Sequence, residues 1–188
     1  MTGALINVTV DDAAIAKALK ALAEQDGGLA RACLKNIGST VVKQVHRRFA
    51  QQVDPAGHPW APLNPAYAGQ GLSEGLNAKT ALGVKRGSKI LQEMGMAGGL
   101  LGSIVWQLSG DDRLEIGTNK VYGAIHQFGG RIVPRTARAL VFWLGGGLVI
   151  AKAVTIPARP YLGLSTDDTA GILGVIEDHA NEVWEAGG

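Results

Sequence analysis

The run Asp54-Pro55-Ala56-Gly57-His58-Pro59-Trp60-Ala61-Pro62-Leu63-Asn64-Pro65 constrains this chain more than any other stretch. Its four prolines remove backbone donors and fix φ, so neither a regular helix nor a central strand can pass through it. The chain is thereby divided into two parts with different periodicities. Upstream, Ile6 to Val10 alternate apolar and polar residues as in a short strand, and Asp11 or Asp12 can cap a helix. Ile15, Leu19 and Leu22 follow at helical spacing until Asp26-Gly27-Gly28 ends the pattern, which predicts a short surface helix. A longer helix is predicted from about residue 29 to residue 52, with Leu29, Cys33, Ile37, Val41, Val45 and Phe49 on one line. Arg31, Lys35, Lys43, Arg47 and Arg48 lie mostly off that line and read as a charged solvent face.

Downstream of the prolines, Gly69, Gly71, Gly75, Gly83 and Gly87 are interspersed with Lys79, Lys85, Arg86 and Lys89. Residues 53–101 are therefore expected to form an extended, partly flexible arm, with a short helix over 89–101 broken near Gly95 and Gly98-Gly99. Segments of that length without regular structure tend to be functional or to order on binding, and Trp60 is the natural anchor for a partner. Ile104, Trp106 and Leu108 then alternate with polar or outward positions, as do Leu114 and Ile116 beyond Gly110-Asp111-Asp112, which predicts a hairpin. Residues 139–144 and 148–156 flank Gly145-Gly146-Gly147 and predict a second hairpin. Ser165 can cap a last helix, with Asp167 and Asp168 in its first turn and Ile172, Ile176, His179 and Val183 as its apolar stripe. The expected class is α+β: N-terminal helices, a long irregular arm, a mostly antiparallel sheet of two hairpins, and a C-terminal helix. At 188 residues and 46% hydrophobic, one domain over 1–188 is expected, its aliphatic core anchored by a few large rings such as Trp106 and Trp143.

Chemistry is sparse. His46, His58, His126 and His179 show no metal-ligand spacing, and one cysteine cannot build a structural zinc site. Cys33 reads as a small core residue in a reducing compartment. Gly145-Gly146-Gly147 lacks the following Lys-Ser or Lys-Thr of a phosphate loop, and no serine lies in a Gly-x-Ser-x-Gly elbow. No catalytic, cofactor-binding or metal residue is assigned. A net charge of +2 is far below what nucleic-acid affinity usually draws on. The N-terminus lacks a basic region followed by a long apolar stretch, and no run reaches the length of a membrane-spanning helix, so no membrane partner is expected.

Two segments remain, residues 117–130 and 156–165, which place aromatics, glycines and prolines where backbone shape matters more than reactivity. Phe128, Gly129, Gly130, Tyr122 and His126 in the first, and Arg159 and Tyr161 in the second, are with Trp60 the expected interface residues. On that reading Arg159→Ala and Phe128→Ala each leave a soluble fold and reduce assembly.

These motifs carry a resemblance. Arg48-Phe49, Asp54-Pro55-x-Gly57-x-x-Trp60-x-Pro62-Leu63, Ile90-Leu91-Gln92 with Gly95, Ser103-Ile104, Ile116-Gly117-Thr118-Asn119, Tyr122, Ala124 to Gly130 and Ile156 to Ser165 occur in an order that resembles the phage virion morphogenesis family, also called tail completion proteins. The resemblance covers about two-thirds of the chain. It implies a structural virion protein, not an enzyme, that completes the tail of a long-tailed phage at its head-proximal end and supports head-tail joining as a ring subunit. Implied partners are further copies of itself and neighbouring tail-tube, tail-terminator or head-connector proteins, with non-specific contact to the passing DNA. The implied location is the tail or neck of the virion, assembled in the host cytoplasm. The arm would then order against a neighbouring subunit. An alternative is a nucleic-acid-binding module using the basic face of helix 29–52 and the 79–89 cluster, and a hydrolase based on His126 is a distant third.

Overall fold

The computed structural model describes residues 13–25, 27–63, 90–91, 99–110, 113–144 and 147–186. The strand expected at 6–10, the middle of the arm with its 79–89 cluster, and the Gly145-Gly146 turn lie outside the described residues. The elements are α1 (Ala13–Gln25), α2 (Gly27–Gln51), a single 3-10 turn (Leu101–Ser103), β1 (Ile104–Leu108), β2 (Leu114–Thr118), α3 (Gly123–Phe128), β3 (Gly130–Ile132), β4 (Leu140–Leu144), β5 (Gly147–Ala151), β6 (Val154–Ile156) and α4 (Thr166–Ala186). The class is α+β, with helices at both ends and antiparallel two-stranded sheets between them.

The long helix forms because its every-fourth-residue line has somewhere to go. Cys33, Ile37, Val41, Val45 and Phe49 are all buried, and α4 answers with Ile172 and Ile176. Helix α2 begins two residues before its expected start, with Gly27 and Gly28 in its first turn rather than in a break. Backbone donors there have no intrahelical partner in any case. Burial pushes the Cys33 thiol up to about 11, so it stays protonated and inert near neutral pH. A Cβ at Gly38 would stand 2.7 Å from the Trp106 ring, so the glycine lets the indole of β1 lie directly on the helix backbone.

Strands β1 and β2 pair from Ile104 opposite Thr118 to Leu108 opposite Leu114. The expected alternation holds. Ile104 is buried and Leu114 and Ile116 join the core, whereas Val105 is exposed and Gln107 donates to Glu115 across the outer face at 2.8 Å. The second apolar run divides in a way its composition does not announce. Residues 148–156 supply both β5, which pairs with β4, and β6, which pairs with β3. Among the described residues, three separate two-stranded sheets result. The chain reverses at Gly129, with φ at +69° and ψ at −177°, which only glycine adopts readily. A Cβ there would lie 2.7 Å from the Ala158 amide, so residues 129–132 must return alongside 154–158.

Helix α4 starts with a reciprocal cap. The Asp168 amide donates to Ser165 Oγ at 3.1 Å, and the Ser165 amide donates to Asp168 Oδ2 at 2.7 Å. This is the capping-box arrangement with aspartate as its acidic member. Two anchoring expectations are corrected. Trp143 is 73% exposed and is no core anchor, because its strand faces solvent on that side. Arg48 belongs to the interior, since it occupies the position next to Phe49 on the buried side of α2 and meets Asp168 in an ion pair.

Candidate interaction surface

The two motif segments and the start of the arm converge on one polar seam beside the core. Residues 157–165 have no regular backbone partner, so side chains must satisfy their amides and carbonyls. Gln127, on α3, supplies three of these bonds. Its Oε1 accepts from the amides of Tyr161 and Leu162, both at 3.0 Å, and its Nε2 donates to the Leu162 carbonyl at 2.9 Å. The Tyr161 hydroxyl donates back to the Gly123 carbonyl at 3.1 Å, and the Arg159 amide donates to the His126 carbonyl at 2.7 Å. Helix α3 and the 157–165 segment are thus joined along their lengths.

The arm enters the same seam. Trp60 Nε1 donates to the Pro160 carbonyl at 2.8 Å, and its ring meets Phe49 edge-on at 5.2 Å. Tyr161 packs against Phe49 from another side at 5.4 Å. Arg159 donates from Nε to Ala61 O at 2.8 Å and from Nη2 to Pro62 O at 2.9 Å. The prolines explain why those carbonyls need a side chain: a chain that cannot join a sheet leaves its acceptors unpaired. Asp54 closes the preceding turn by accepting from the His58 amide at 2.9 Å. Burial disfavours its charge, but the His58 hydrogen bonds outweigh that and hold its carboxyl below the usual carboxylate range.

Arg48 fixes the far end of the seam. Its Nη1 donates to Tyr161 O at 3.2 Å and Gly163 O at 2.9 Å, and its other terminal nitrogen is paired with the Asp168 carboxylate. Burial lowers the pKa of the guanidinium while the charge of Asp54 works the other way. Burial likewise pushes the Tyr161 phenol up and the Arg159 guanidinium down.

The expected interface residues separate accordingly. Trp60, Arg159 and Tyr161 are interior, at 6%, 5% and 0% exposure, so they cannot serve as surface anchors in this conformation. The first part of the expected arm, residues 53–63, is likewise built into the core through Trp60. Tyr122 and His126 are half-buried with their rings edge-to-face at 6.0 Å, and Gly129 is a half-buried backbone hinge. Phe128 is 62% exposed and Gly130 lies beside it at the surface. The residues that sequence reasoning passed over are Gln127 and Arg48, whose polar side chains hold the seam from within. A second apolar surface was also missed: Val141, Trp143, Leu148 and Ile150 are all exposed on the β4–β5 hairpin. Its signal was present in the apolar composition of 139–151 on both sides of its three glycines, which suits a covered hairpin better than a wet one.

Of the basic face on α2, Arg31, Lys35, Lys43 and Arg47 are exposed and Arg48 is not. Among the described residues, no three His, Cys, Asp or Glu side chains stand close enough to hold a metal, and no helix is long and apolar enough to cross a membrane.

Comparison with known proteins gives one family match, to the phage virion morphogenesis family over residues 10–181. Mu-like prophage FluMu G protein 2 of Haemophilus influenzae is 38% identical over 80 residues, covering 43% of this chain and 46% of that protein. The match therefore spans about half the length of that relative. No solved structure matches.

Proposed function

The chain belongs to the phage virion morphogenesis family, and from that premise we propose that it is a structural protein that completes the phage tail at its head-proximal end and supports head-tail joining as a subunit of a ring. Family membership gives the coarser part, a structural role in virion morphogenesis. The observation that supports the finer part is how the family-bearing motifs are used. Residues 54–63, 126–130 and 156–165 lock one another into a closed seam, with the polar groups of Trp60, Gln127 and Arg159 spent on backbone partners. Such a framework is suited to holding shape. Among the large apolar side chains left outside, Phe128 and those of the β4–β5 hairpin are suited to contact with other subunits.

On this reading the neighbours are copies of the same chain together with tail-tube, tail-terminator or head-connector proteins, and the passing genome is at most a non-specific contact. The tail attachment is tested by adding purified protein to separated fractions of a lysate made without it. We expect the protein to co-sediment with tails. Co-sedimentation with filled heads alone would contradict a tail-completing role.

A further inference from the structure

One face of the β4–β5 hairpin is an apolar surface open to solvent. Val141 stands opposite Ile150 and Trp143 opposite Leu148, and these side chains are 61%, 68%, 73% and 54% exposed in that order. The two strands pack chiefly against each other. A lone two-stranded sheet is marginally stable in water, so a face of this kind gains from being covered.

Charge indicates what covers it. No Asp or Glu occurs from Asn119 to Thr166, while Arg131, Arg135, Arg138 and Lys152, near the open end of the hairpin in the chain, are all exposed. Arg138 lies two residues before β4 and Lys152 directly after β5, so both cations belong to the root of the apolar face. Helix α4 has the opposite character. Asp167, Glu177, Asp178 and Glu182 are exposed on it, and its sequence contains neither Lys nor Arg.

We propose that the β4–β5 hairpin of one copy docks on the acidic outer side of α4 of a second copy, its apolar face against the helix and Arg138 and Lys152 against Glu177 and Asp178. Hairpin-on-hairpin pairing is disfavoured, because it would bring two sets of cations together with no acid between them. The contact is therefore heterologous, and its repetition closes a ring or extends a filament. The inference rests on the reading of this chain as a ring subunit and names the surfaces that would join.

The test is sedimentation equilibrium of the full chain in four preparations: wild type, Trp143→Asp, the pair Glu177→Lys with Asp178→Lys, and an equimolar mixture of the two variants. Wild type should assemble beyond a dimer as concentration rises. Each variant alone should associate roughly thirtyfold more weakly or worse, as expected when a central interface anchor is lost. The mixture should stop at heterodimers, since one variant supplies an intact hairpin and the other an intact helix. Trp143 is mostly in solvent, so Trp143→Asp should melt like wild type; if it melts early, Ile150→Asp on the same face replaces it. A wild type that stays monomeric, a variant that assembles like wild type, or a mixture that stays monomeric overturns the proposal. A monomeric wild type that still joins heads to tails removes this contact and leaves the tail-completion reading standing. Assembly through this contact in a protein that virions do not need does the reverse.

Discussion

Arg159 and Phe128 share a motif-rich neighbourhood and have opposite fates. Shortening Arg159 to Ala removes the donors to the Ala61 and Pro62 carbonyls. We expect Arg159→Ala to cost about 2–4 kcal/mol, from two acceptors losing a charged donor. Phe128→Ala, at a side chain 62% exposed, should change stability by less than about 0.5 kcal/mol while reducing particle assembly. Chemical denaturation of both variants checks the pair. Equal stabilities would mean that the Arg159 contacts are not formed in solution. The seam shows why the sequence could single out these residues without sorting them. An arginine between two prolines, and a tyrosine just after, are residue types that concentrate energy at interfaces. The same types serve an irregular interior, where a fixed polar fork is needed to reach stray carbonyls. Only the position of the proline run in space distinguishes the two uses, and that position is set by long-range contact. Gln127 gave no signal, because an amide that bridges backbone groups is indistinguishable in sequence from one that faces water.

At the scale of elements, the long helices and the two hairpins were legible, whereas the short helix α3 and the pairing of β3 with β6 were not. The line from Cys33 to Phe49 and the Ile172, Ile176, His179 stripe are periodic, local and long, and each is buried as spaced. The Ser165 cap was readable from its position before two acids, although Asp168 also does what composition cannot show: it crosses to Arg48 on α2. That pair is the electrostatic link between the two longest helices. Asp168→Ala should therefore cost about 3–5 kcal/mol, because it strands a buried guanidinium as well as opening the cap. Glu177→Ala, on the exposed side of the same helix, is the control and should be nearly silent. Thermal melts of the two variants check this, and an Asp168→Ala protein as stable as the control would show that the Arg48 pair contributes little. The partition of 148–156 into β5 and β6 was illegible for a physical reason. A mostly apolar run has little alternation to fix its register, Lys152 alone does not announce a change of partner, and the pairing of β6 is decided by the Gly129 reversal in a distant segment.

For the whole molecule, the α+β class followed from the order of periodic segments, and the family followed from the order of short motifs, each too weak alone. The first residues of the expected arm are instead a strut of the core, pinned by Trp60 and Arg159. This changes how the molecule is expected to assemble. On the proposed reading, contact with other subunits rests on Phe128 and the β4–β5 hairpin, which are among the large apolar side chains left outside, rather than on Trp60, Arg159 or Tyr161. A rigid seam carrying apolar projections fits a protein that works by position within an assembly. The most direct test of that claim is a count of particles in electron micrographs of virions made without this protein, repeated after purified protein is added. The account predicts full heads and separate tails in the first case and joined particles in the second. Intact, infectious particles in the absence of the protein would contradict it.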